Sequence, residues 1–105
     1  MKIKQRGFHQ QGLKTLFEDN SETMNVTFGT VRIPPGERVP SEGLSSHLEN
    51  EYSIILKGEL QGESGGAPFE VKAKDATFIP AGEKHWAVNN SEETCEIVWL
   101  LVKEK

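Results

Sequence analysis

Pro80-Ala-Gly-Glu-Lys-His85-Trp-Ala-Val-Asn89 is the stretch whose reading decides the fold. The apolar run Ala76-Thr-Phe-Ile79 stops at Pro80, turns on Gly82 and restarts as His-Trp-Ala-Val. Proline fixes φ and removes a ladder donor, while glycine supplies the positive φ of a tight turn. The spacing predicts strand, turn, strand, with His85 as the first residue of the second strand. Upstream, His47 and Glu51 stand just before the apolar run Tyr52 to Leu56, which Gly58 closes. If the two segments face one cavity, two imidazoles and one carboxylate meet there.

The rest of the chain has the same character. Residues 1–18 have apolar side chains at mixed spacing, which suits an edge strand or a short helix equally. Asp19-Asn-Ser-Glu22 is a turn cluster, after which Met24 to Ile33 alternates until Pro34-Pro35-Gly36 ends it. Alternation with β-branched and aromatic residues, stopped by Pro-Pro-Gly, predicts a strand. Glu37 to Ser46 is a polar loop. Ser46-His-Leu-Glu49 matches a capping box, but Tyr52-Ser-Ile-Ile-Leu is short, β-rich and bounded by glycine, so a strand is expected there. Glu59-Leu-Gln-Gly62, the loop Glu63 to Pro68 and the alternating Phe69, Val71 and Ala73 give a hairpin. Lys74-Asp75 and Asn89-Asn-Ser-Glu92 are turns, and Cys95 to Val102 is a nearly continuous apolar strand. Turn signals every eight to twelve residues, with no long amphipathic helix, predict one all-β unit over 1–105, a small antiparallel sandwich or barrel.

Bulk properties narrow the function. A formal charge of −4 over 105 residues, with bases scattered among acids, argues against nucleic acid or an anionic membrane as partner. The single cysteine, Cys95, excludes an internal disulfide and suits a reducing compartment. The charged start Met-Lys-Ile-Lys-Gln-Arg has no apolar core of a signal peptide, and Ile97 to Val102 is too short to span a bilayer. A cytoplasmic location is expected.

On these motifs the chain resembles the cupin family, small jelly-roll β-barrels of two facing sheets. Glu51, six residues and Gly58 match the end of the family's first motif, with His47 as its second histidine. Pro80, Gly82, His85 and Asn89 match the second motif, whose leading glycine is here Lys74. Ser45 stands where the family usually has its first metal-binding histidine. The resemblance therefore implies a reduced metal site of His47, Glu51 and His85, with Ser45 beside it.

Two imidazoles and a carboxylate suit a first-row divalent metal and leave positions open for water, O₂ or substrate. Ligand identity alone does not choose among Fe, Zn, Ni, Mn and Co. The serine hydroxyl is a poor ligand and is expected to hydrogen-bond a metal-bound water instead. Glu51 is also the candidate catalytic group, as ligand or as base. The expected function is a metal-dependent enzyme (oxygenase, isomerase, lyase or decarboxylase type) acting on a small polar molecule. The alternative is a metal-free ligand-binding or sensing barrel, in which Glu51 is hydrated or bonded to His85.

Other residues have structural readings. Asn89 is expected to cap backbone groups, and Cys95 to be a small buried hydrophobe. Gly62-Glu-Ser-Gly-Gly66 lies too far from a helix start to be a phosphate loop. Trp86 and Val88 point away from His85, while Tyr52, Ile54 and Leu56 alternate away from Glu51. That outer surface is expected either to pack under the N-terminal segment or to form a homodimer interface, in keeping with the family's habit of pairing barrels.

Overall fold

A computed structural model describes residues 1–105. Nine strands run in chain order: β1 (Gly12–Asn20), β2 (Met24–Ile33), β3 (Arg38–Val39), β4 (Asn50–Lys57), β5 (Glu59–Ser64), β6 (Ala67–Lys72), β7 (Ala76–Ile79), β8 (His85–Val88) and β9 (Cys95–Glu104). They form a five-stranded sheet in the order β1-β2-β9-β4-β7 and a four-stranded sheet in the order β3-β8-β5-β6. All pairings are antiparallel. The non-sequential neighbours β2-β9-β4 and β3-β8-β5 are the crossovers of a jelly roll. There is no helix, so the capping-box signal at Ser46 is overridden by the β-rich run that follows it.

The N-terminal segment resolves into the edge strand β1, and a bulge explains its mixed spacing. Register shifts between Thr15 and Phe17, so Leu13 pairs with Val31 while Phe17 pairs with Phe28. Val31 lines the interior together with Leu13. Phe17 stacks on Phe28 with ring centroids 6.4 Å apart. Residues of equal parity thus serve opposite faces, because one extra residue reverses the alternation.

Only 10 of 105 residues are buried, so the hydrogen-bonded walls hold the shape more than a filled centre does. Ile33, Ile55, Leu60, Cys95 and Ile97 close one end of the barrel. The same end is tied by Asn89, which is fully buried. Its Nδ2 donates to the carbonyls of Ile33 (2.9 Å) and Glu93 (2.8 Å), and its Oδ1 accepts from Ser91 N (3.0 Å) and Ser91 Oγ (2.7 Å). Asn89 therefore has the capping role expected of it. The leading position of the second motif is also informative. Lys74 has φ +81°, so it adopts the left-handed conformation that glycine takes without strain.

The outer face of the five-stranded sheet carries Tyr52, Ile54, Leu56 and Phe78, all exposed, with Tyr52 and Phe78 in ring contact at 5.0 Å. The N-terminal segment does not cover them. It lies over β2 instead, where the Gly7 carbonyl accepts from Thr30 Oγ1 and the His9 carbonyl accepts from Arg32 Nη1 at 3.2 Å.

Candidate metal centre and its cavity

Between the sheets lies an open cavity of about 740 Å³. Ser45, His47, Glu51 and His85 all line it. The strand register arranges its wall in tiers. Nearest the closed end, Ile55 pairs with Ile97, with Leu60 on the facing sheet. In the middle, Ser53 pairs with Trp99, while Ala87 pairs with both Val39 and Gly62 across from them. At the far end Glu51 pairs with Leu101 and Ile79, and His85 pairs with Ser64. The polar groups gather in this last tier.

His85 is held from both sides. Its backbone exchanges two 2.9 Å hydrogen bonds with Ser45, an isolated bridge that brings the loop before β4 alongside β8. Its Nδ1 lies 3.0 Å from the Glu83 carbonyl. A carbonyl can only accept, so this contact makes Nδ1 the donor and leaves the lone pair on Nε2. His47 sits in the loop before β4, where its carbonyl accepts from Gly82 N at 2.8 Å and ties that loop to the Pro80–His85 turn. Ala81 N donates to Asn50 Oδ1 at 2.9 Å across the same gap.

The three expected ligands come together in pairs. The His47 and His85 rings meet edge-on, with centroids 4.9 Å apart and planes at 62°. His47 Nε2 lies 3.6 Å from Glu51 Oε1. That is too long for a strong charge-assisted hydrogen bond, and close to the roughly 3.4 Å that separates two ligands of a tetrahedral zinc at about 2.1 Å each. Glu51 lies against His47 rather than His85. As the side chains stand, no group of three or more His, Cys, Asp or Glu closes round a single point. The donor set and the His47–Glu51 separation fit a divalent metal. Closure on His85 requires movement of His47 or Glu51.

Two groups at the polar tier went unmarked in the sequence. Glu83 lines the cavity, and its Oε2 accepts from Ser64 Oγ at 2.6 Å. Its only signal was its place inside the Pro80–His85 turn. A Cβ at Gly65 would come within 2.9 Å of Glu83 Oε1, so the glycine leaves room for that carboxylate. Cys95 is fully buried, and its thiol is pushed up to about 11 by burial and by the nearby Glu96, Glu59 and Glu93 carboxylates. It is no nucleophile. Trp86 carries the Arg38 guanidinium over its ring at 4.6 Å.

A family model described as "Cupin domain" matches residues 29–101. No curated protein sequence matches the chain. Among solved structures, the cupin domain of Cnp3 from Schizosaccharomyces pombe superposes with a TM-score of 0.71 at 15% identity, covering 89% of this chain and 64% of that one. A predicted oxalate decarboxylase from Thermotoga maritima gives 0.65 at 21% identity, covering 90% and 94%. KdgF from Halomonas sp. gives 0.62 at 16%, covering 85% and 76%. At such identities the likeness concerns the fold alone.

Proposed function

The chain belongs to the cupin family, and from that premise we propose that it is a small-molecule-binding barrel whose His47, Glu51 and His85 hold a divalent metal. The observation that supports this reading is that the three side chains line one cavity from its two facing sheets, with the His85 Nε2 lone pair left free by the contact to Glu83. Each residue has a distinct part. His85 is the fixed ligand, pinned by two backbone hydrogen bonds to Ser45 and oriented by the Glu83 carbonyl. His47 and Glu51 approach as a pair from the facing sheet and its leading loop. A bound metal supplies a Lewis acid that polarises a substrate oxygen. Around it, Ser45 offers a hydroxyl for a water or substrate oxygen, Glu51 is the candidate base, and the apolar tiers below exclude water. Solved neighbours carry names of several activities, a predicted oxalate decarboxylase and a putative sugar phosphate isomerase among them.

The open triangle of side chains favours a second reading, a barrel that takes its ligand without metal. Metal analysis of protein purified without an immobilised-metal column separates the two. One equivalent of a first-row metal, lost in His85→Ala and in Glu51→Gln, is the expected result. No metal in the wild type after incubation with Zn²⁺, Mn²⁺, Fe²⁺, Ni²⁺ and Co²⁺ in turn would leave the second reading standing.

A further inference from the structure

We propose that the ligand of this barrel is a largely apolar, uncharged molecule carrying its oxygen at one end, an alcohol, ketone or phenol, rather than a sugar or sugar acid. The inference rests on the reading of the cavity as a small-molecule site and specifies what enters it. Its first support is the wall. Below the polar tier the cavity is lined by Val39, Phe69, Val71, Ala87, Ile97 and Trp99, a mostly hydrocarbon surface interrupted by Ser53, Thr77 and the Trp99 N–H, with Glu37 and the Glu96-paired Arg32 also on the lining. A sugar needs hydrogen-bond partners all round its ring, and a hydroxyl buried without one is penalised. These two tiers would leave most sugar hydroxyls unmatched.

The second support is the space. Although Trp99 is 6% exposed, its indole does not fill the lumen. A Cβ at Gly29 would come within 2.3 Å of Trp99 Cζ2, so the absent side chain on β2 lets the ring lie flat against the wall. The resulting volume, about 740 Å³, falls in the range of sites for drug-sized molecules.

The third support is the sign of charge at the polar end. Its side chains are the hydroxyls of Ser45 and Ser64, the imidazoles of His47 and His85, and the carboxylates of Glu51 and Glu83. No Lys or Arg stands among them: the one cation on the cavity lining, Arg32, lies beside the closed end and is ion-paired with Glu96 at 2.6 Å. In the metal-free barrel, two carboxylates without a cation repel an anionic head, whereas a hydroxyl or carbonyl finds both donors and acceptors.

The test is calorimetric titration, in EDTA, with 4-alkylphenols from phenol to 4-butylphenol, the matching 4-alkylbenzoates, and galactose and galacturonate. One phenol per chain is expected, with affinity rising about four-fold per added methylene. The benzoate of each length should bind more weakly, and the sugars should not bind measurably. Val71→Thr, which adds a hydroxyl to the inner wall at constant volume, should flatten the methylene series. Ile54→Ser, on the outer apolar face, should leave it unchanged. A flat phenol series, tighter binding of galactose or galacturonate, or loss of binding in Ile54→Ser overturns the proposal. Repeating the titration with Zn²⁺ keeps the metal reading separate. A metal that binds at full stoichiometry while the phenols show no length dependence sinks the ligand class and leaves the metal site intact. Failure of every compound with and without Zn²⁺ removes the small-molecule site and the proposal together.

Discussion

Replacing Asn89 with alanine removes the one side chain that ties the closed end of the barrel together. Four hydrogen bonds go with it, two donated to the Ile33 and Glu93 carbonyls and two accepted from Ser91. The four are not equal. The Glu93 carbonyl keeps a 3.0 Å bond from Ser91 Oγ, and Ser91 lies near enough to solvent to be rehydrated. The bond to Ile33 is the buried one, because Ile33 is 3% and Asn89 0% exposed. At about 1 kcal/mol net for each bond, with an added penalty for an acceptor orphaned in the interior, Asn89→Ala should cost about 3–4 kcal/mol. For a domain of this size that corresponds to a Tm about 15–25 °C lower. Urea unfolding followed by tryptophan fluorescence measures it, with Asn90→Ala as control. Asn90 makes only a 3.4 Å exposed contact to Gln61, so that variant should stay within about 0.5 kcal/mol of wild type. A loss below about 1 kcal/mol in Asn89→Ala would refute the assignment of the capping role to this side chain.

Lys74→Gly should stabilise the fold by up to about 1 kcal/mol, because relief of the left-handed penalty at φ +81° outweighs the glycine's extra chain entropy; an unfolding midpoint at or below wild type counts against it. Trp99→Phe should be neutral or stabilising despite the smaller ring, since Trp99 Nε1 is buried without a partner and such a group costs about 1–3 kcal/mol; a loss above about 2 kcal/mol would show that the indole N–H is satisfied after all. The Cys95 thiol has a folded pKa raised from 9.0 to about 11, so the folded state holds its proton more tightly than the unfolded chain. The associated stability, up to about 2–3 kcal/mol, is present below pH 9.0 and is lost as pH rises toward 11, a dependence that Cys95→Ala should flatten in urea midpoints measured from pH 8 upward.

The strands were legible where a β-rich run meets a proline or glycine stop, as in β2 before Pro34 and in the β7–β8 pair around Pro80 and Gly82. β1 was not, because its bulge puts Leu13 and Phe17 on opposite faces although they share a parity. β3 was missed because two residues, Arg38 and Val39, carry no period. Motif spacing pointed His47, Glu51 and His85 at one cavity, and the structure sets His47 against both His85 and Glu51. What spacing could not convey is the lining between them. Val39 and Phe69 come from separate strands, and only the register shows that they share one tier with Ala87, while Trp99 faces the same cavity from the other sheet. For the same reason Glu83 and Ser64 became visible as neighbours of His85 only once β5 lay beside β8.

The amide of Gly82 donates to the carbonyl of His47, one of the links that tie the Pro80–His85 turn to the loop before β4. His47 and His85 lie on either side of that link, so a guest that draws the two rings together acts on it. The Gly82 N–H is then a built-in gauge of occupancy. Its proton should exchange with deuterium more slowly, and its nitrogen resonance should shift, as soon as the barrel mouth is engaged, whatever the guest turns out to be.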